Sequence, residues 1–189
     1  MKKAKRLLFL LGTLPALLWA SPKEDWLIDG KSYLAQAIVS ADQKRLELTN
    51  GLYSRTFSLF PNGATIALDN RMTGESELRA VRPEALLVIN GKQYPVGGLT
   101  NQPVHNFLSE DFLNRMETCD TAFQLKRYVV GKTLERFPWK PNQVWISTPC
   151  EWPAPGKRIT FFYEPTPQMT ICQGLEIRVI YELYDGAPI

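Results

Sequence analysis

Leu175-Glu176-Ile177-Arg178-Val179-Ile180-Tyr181-Glu182-Leu183-Tyr184-Asp185-Gly186 is the stretch that decides the fold class of this 189-residue chain. Leu175, Ile177, Val179, Tyr181 and Leu183 fall on one side of an extended backbone. Glu176, Arg178, Glu182 and Tyr184 fall on the other, with Ile180 alone out of pattern. Side chains of a strand alternate between faces, so a period of two with one apolar side marks a half-buried strand. Asp185-Gly186 then predicts a hairpin turn, because Gly tolerates the positive φ of a primed turn. Only Ala187, Pro188 and Ile189 follow, too few for a return strand. The expectation is a strand at a sheet edge, in a sandwich truncated at its C-terminal end and forming the front of a longer protein. An unpaired edge of this kind is an aggregation hazard.

The same period recurs upstream. Residues 34–39 read as a strand, and Leu46 and Leu48 alternate with Arg45, Glu47 and Thr49 in the next, before an Asn50-Gly51 turn. Tyr53, Arg55, Phe57 and Leu59 share one face of a third strand, with Ser54, Thr56 and Ser58 opposite. Pro61-Asn62-Gly63 turns the chain into a fourth, from which Ala64, Ile66 and Leu68 point inward. Residues 85–89 and 92–96 flank Asn90-Gly91 as a hairpin, and 123–130 and 158–163 return to strand. Strands at this spacing, joined by Gly, Pro and Asn turns, predict an all-β fold, an antiparallel β-sandwich. One segment departs from it. Leu108, Phe112, Leu113 and Met116 recur at helical spacing behind Ser109, a good N-cap, and the acidic first-turn residues Glu110 and Asp111. A short helix over 110–116 follows.

The N-terminus reads as a secretory signal peptide over residues 1–20. Lys2, Lys3, Lys5 and Arg6 precede an apolar run from Leu7 to Trp19, and Ala20 offers a cleavage point before polar residues. The run is short for a membrane span, although Leu18 stands where cleavage prefers a smaller residue, which leaves an uncleaved anchor as the alternative. Residues 21–33 form a polar lead-in and 34–189 the sandwich domain. The whole chain has 22 Lys+Arg and 19 Asp+Glu, net +3, but the leader carries four of the cations and no acid. The processed chain is therefore near −1, exported to the periplasm or beyond, with no basic stripe for nucleic acid and no stable membrane insertion. Cys119, Cys150 and Cys172 allow one disulfide plus a thiol, or three thiols, and their spacing with a single His is not that of a metal site.

Three tryptophans crowd one Pro-rich region, predicted to be a loop over 140–156. They are Trp139 in Phe137-Pro138-Trp139-Lys140-Pro141, Trp145, and Trp152 in Glu151-Trp152-Pro153. Flat aromatic faces suit the C–H faces of sugars, and Asn142, Gln143 and Glu151 are placed to fix hydroxyls. These six residues are the candidate carbohydrate contacts. The competing structural role, and the commoner one for Trp, is to stack on proline and seal one end of the sandwich. Arg55 among apolar neighbours and Arg82-Pro83-Glu84 at a stiff turn predict a buried Arg–Glu pair. His105 has no Ser or Cys partner in view. No acid pair can be given glycosidase roles, and no phosphate or dinucleotide loop is present, so neither a catalytic residue nor a cofactor is expected.

Several stretches together resemble the N-terminal region of exported bacterial glycoside hydrolases of the α-galactosidase type. They are Asn50-Gly51-Leu52-Tyr53-Ser54-Arg55-Thr56-Phe57, Pro61-Asn62-Gly63-Ala64-Thr65, Met72-Thr73-Gly74-Glu75, Leu78-Arg79-Ala80-Val81-Arg82-Pro83-Glu84-Ala85, Ile89-Asn90-Gly91-Lys92-Gln93-Tyr94, and Tyr181-Glu182-Leu183-Tyr184-Asp185-Gly186-Ala187-Pro188. The resemblance implies a β-super-sandwich, incomplete in this chain, that precedes a C-terminal (β/α)8 catalytic barrel carrying the catalytic aspartates. By resemblance the chain is a non-catalytic front domain of a carbohydrate-active enzyme, with oligosaccharide or polysaccharide as partner. The alternatives are a stand-alone exported carbohydrate-binding module and a structural or partner-binding envelope protein.

Overall fold

The computed structural model describes residues 25–102, 108–140, 142, 144 and 151–188. The leader, His105, Gln143, Trp145 and Cys150 lie outside the described residues.

Five strands run as an antiparallel meander in chain order: β1 (Gln36–Val39), β2 (Arg45–Thr49), β3 (Tyr53–Ser58), β4 (Ala64–Asn70) and β5 (Glu75–Arg79). A hairpin follows, β6 (Ala85–Ile89) and β7 (Lys92–Val96), then a short helix α1 (Glu110–Leu113). The second large sheet is β8 (Gln124–Lys132), β9 (Gly156–Glu164) and β10 (Ile177–Tyr184), with β9 in the centre. All ladder pairings within the three sheets are antiparallel. The apolar faces meet in one core. Leu46, Leu48 and Phe57 come from the first sheet, Ile159, Phe161 and Tyr163 from β9, Leu183 from β10, and Tyr94 and Val96 from the hairpin. Phe57 packs tilted on both Phe161 and Tyr181, with ring centres 4.9 and 4.8 Å away. The described residues thus form an all-β antiparallel sandwich with one short α-helix, as the alternation predicts.

The turns form for stated reasons. Asn90 and Gly91 both hold positive φ, 51° and 77°, which is what a two-residue primed hairpin requires. At the first turn the buried Asn50 side chain accepts from the Leu52 and Tyr53 amides, closing an Asx-type turn over Gly51 at φ 84°. Its amide group reaches across to donate to the carbonyls of Tyr184 and Ala187. Asn62 acts likewise after Pro61, accepting from Leu125 N and Gly63 N and donating to the carbonyls of Gly98 and Phe123.

Four details differ from the sequence expectation. Ala64, Ile66 and Leu68 do not share a face. Thr56 pairs with Ala67 and Phe57 with Thr65, so Ile66 is left without a partner as a bulge. Ala64 and Ile66 join a second cluster with Val81, Leu99 and Met116, against which Leu108, Phe112 and Leu113 pack. β5 was not legible, because Glu75-Ser76-Glu77-Leu78-Arg79 is a polar edge strand with little to bury. The helix stops at Leu113, three residues short of Met116. Ser109 holds the N-cap backbone shape without a side-chain cap bond, and Glu110 instead pairs with Arg45 across the molecule.

β10 lies at a sheet edge, as expected, with β9 as its one neighbour. Asp185-Gly186 has a further role beyond a turn signal. The Asp185 carboxylate accepts from Ala35 N at 2.7 Å, and Gly186 N donates to Tyr33 O at 2.8 Å. The end of β10 is thereby tied to the lead-in before β1.

Candidate functional site

The tryptophan region is built where β8 leaves the second sheet and the chain returns to β9. Thr133, buried just past β8, donates its hydroxyl to Ala154 O at 2.6 Å, clamping the outgoing and incoming segments together. At the next residue, Leu134 N donates to Glu182 Oε1 at 3.4 Å, and the Arg136 guanidinium pairs with Glu182 Oε2 at 2.8 Å. Arg158 on β9 approaches the other oxygen at 3.8 Å. The Glu182 side chain is only 2% exposed, and two cations with the Tyr184 hydroxyl satisfy it. Burial, then the hydrogen bond and charge of Glu182, push the Tyr184 phenol above its ordinary value. A polar-side residue of the deciding strand is therefore the anchor of the loop.

Beyond that anchor stand the aromatic rings. Trp152 Nε1 donates to Phe137 O at 3.2 Å, so the indole is oriented by the backbone of the opposing segment. Its ring packs 5.1 Å from Phe137, tilted by 47°, and 5.1 Å from Trp139, tilted by 56°. These separations and tilts are favourable for aromatic pairs. Phe137 nevertheless stays 55% exposed and Trp139 37%. The rings thus pack on one another while two of them stay exposed.

Beside Trp152 lies a cavity of about 440 Å³, walled by Thr133, Glu151, Pro153, Lys132, Lys157 and Asp185 among others. Lys132 and Lys157 sit directly opposite each other across the β8–β9 ladder. The wall thus offers donors and acceptors of both signs next to the rings.

Of the six candidate residues, the structure brings Trp139 and Trp152 into contact and sets Glu151 in the adjoining cavity wall. Asn142 is exposed, and its side-chain oxygen accepts from Val144 N at 3.0 Å in a local turn. Trp145 and Gln143 lie outside the described residues. Phe137, Lys132 and Lys157 were not singled out from the sequence. Phe137 carried a signal, standing two residues before Trp139 with proline between. The lysines carried none, since only the β8–β9 register makes them neighbours.

The predicted Arg–Glu pair takes another form. Glu84 accepts from Thr65 N, Thr65 Oγ1 and the Tyr181 hydroxyl, and Arg55 stacks on the far face of that tyrosine with its guanidinium carbon 4.5 Å from the ring centre. Cys119 and Cys172 are free thiols, one half-buried and one buried. Among the described residues no group of His, Cys, Asp and Glu could hold a metal ion, and no helix is long and apolar enough to cross a membrane. Comparison with protein-family models, curated proteins and solved structures gives no match for the chain.

Proposed function

We propose that this chain is a non-catalytic carbohydrate-binding β-sandwich of an exported carbohydrate-active protein, with Phe137, Trp139 and Trp152 as its sugar-contacting surface. The observation that carries the reading is the ring cluster itself. Three large aromatic side chains are held in place by a backbone hydrogen bond and a buried Glu182 anchor, and two of them remain exposed. Burial would have been the default for such side chains, so an anchored and solvent-facing cluster supports recognition. Glu151 and the two lysines beside it would meet hydroxyl groups. The resemblance of Asn50 to Phe57 and of the other quoted stretches to the front region of α-galactosidase-type hydrolases supports a role next to a catalytic barrel rather than catalysis by this sandwich. The basic and apolar leader supports export.

Affinity electrophoresis tests the reading. Protein purified after export is run through gels containing galactomannan, starch, xylan or pectin. Retardation by at least one of them is expected, together with no turnover of aryl α- or β-glycosides above a heat-killed control. Unretarded migration in all four gels, or measurable turnover, would remove the proposal.

A further inference from the structure

A second site lies between the two sheets, away from the tryptophans. Arg55 is on β3, in the middle of the first sheet, and its direct neighbours across the ladders are Leu48 and Leu68. Its side chain therefore enters the space between the sheets, where the guanidinium carbon lies 4.5 Å from the Tyr181 ring centre and 5.9 Å from that of Phe57. Arg55 Nε is buried without a hydrogen-bond partner, and it is the single such side-chain atom among the described residues. Among those residues Arg55 also makes no ion pair. Arg55 as a whole is half-buried, so the cost falls on that one N–H. A buried donor left unsatisfied is costly, and native folds tolerate one where something else completes it.

The carboxylates nearby are engaged elsewhere. Glu84 takes its bonds from Thr65 and Tyr181, Glu182 is held by Arg136 and Arg158, and Glu77 accepts from the Tyr53 hydroxyl at 2.7 Å. What adjoins Arg55 is open space. A cavity of about 250 Å³ is walled by Arg55, Tyr181 and the apolar side chains Leu48, Leu68, Leu183 and Pro188, with Tyr53, Glu77 and Glu182 at its polar part.

We propose that this cavity binds a small carboxylate with an apolar body, the carboxylate paired with the Arg55 guanidinium and the body against the leucine wall. The planar guanidinium fork matches a carboxylate with two parallel hydrogen bonds, which a lysine could not supply. The Tyr181 ring, 4.5 Å from the guanidinium carbon, orients the fork through its π face. The ligand chemistry differs from that of the tryptophan surface; Glu182 borders both places, so the test is made at Arg55, which the aromatic surface does not use.

Nuclear magnetic resonance titration of the 15N-labelled exported protein tests this with hexanoate and benzoate, each beside its neutral amide. Amides of Leu48, Leu68 and Leu183 should shift with the acids, and the acids should bind at least tenfold tighter than the amides. Arg55→Met keeps the bulk and removes the charge, and should abolish the difference, whereas Arg71→Met at an exposed ion pair should not. If Arg55→Met does not fold, the acid–amide comparison on the wild type decides alone. Equal binding of acid and amide, no binding of either at millimolar concentration, or a preference that survives in folded Arg55→Met would overturn the site. Glucuronate binding as tightly as hexanoate would overturn the apolar half of the assignment.

Discussion

Asn50 holds two ends of the sandwich with one side chain. Its oxygen accepts from the turn it sits in and its nitrogen donates to the carbonyls of Tyr184 and Ala187, all at a residue 3% exposed. Asn50→Ala should cost about 3 kcal/mol, because buried partners on both sides lose their bonds, and lower the melting temperature by roughly 10 °C in a calorimetric scan. Asn50→Asp should be as damaging, since a carboxylate would face two carbonyls. Gly63 is constrained by space rather than by φ. A methyl there would meet the buried Tyr163 hydroxyl at 2.4 Å. Gly63→Ala should destabilise by about 2 kcal/mol or more, and Tyr163→Phe in the same chain should restore part of the loss. Tyr163 also sets an alkaline limit. Burial first, then the nearby Glu84 and Tyr181, push its phenol well above the ordinary 10.0. Below about pH 10 both folded and unfolded states keep the proton, and stability is unaffected. Above it the unfolded state ionises while the folded state does not, so the unfolded state binds fewer protons and stability falls. Tyr181, pushed up by burial and then by Glu84, acts in the same range. Each such phenol should contribute a slope of about 1.4 kcal/mol per pH unit, and Tyr163→Phe should remove its share in urea unfolding series.

At the scale of elements, Glu182 connects the deciding strand to the aromatic surface. Replacing it with Ala leaves the Arg158 side chain, itself 20% exposed, without its carboxylate and frees Arg136. A loss of about 3 kcal/mol is expected. The tryptophan fluorescence should also shift as the Phe137–Trp152 contact loosens, a change that a purely global loss of stability would not produce below the unfolding transition. The central strand β9, buried from Ile159 to Tyr163, should show the slowest amide exchange, and the edge strand β10 less protection. β2, β3 and β10 were legible from the sequence through their alternating apolar faces, and the β6–β7 hairpin through Asn90-Gly91. The bulge at Ile66 was not, because a single unpaired residue depends on which carbonyl its neighbour reaches. β5 was hidden by its polarity. The short helix was visible through its apolar spacing, yet its end at Leu113 reflects packing against Val81, Leu99 and Met116, which periodicity does not contain. Of the site, Trp139 and Trp152 were readable as residue types. Their anchoring by Glu182, and the placing of Lys132 opposite Lys157, required the register of the second sheet.

At the scale of the whole molecule, the sandwich is a rigid frame that carries its candidate chemistry at two places. One is the crossing between β8 and β9, where anchored aromatic rings stay exposed. The other is the space between the sheets, where Arg55 Nε is buried without a hydrogen-bond partner among the described residues. Far-ultraviolet circular dichroism of the purified protein should be dominated by strand, as the topology requires. The central claim is sugar recognition by the ring cluster, and calorimetric titration addresses it most directly. Wild type and Trp139→Ala are titrated side by side with an oligosaccharide from the polysaccharide that retards the wild type. Trp139 is partly exposed and touches the frame through Trp152, so the variant should keep its melting temperature within about 2 °C. The account predicts saturable binding to the wild type and an affinity at least tenfold lower in the variant. Equal affinities in two folded proteins would place the sugar elsewhere and contradict it.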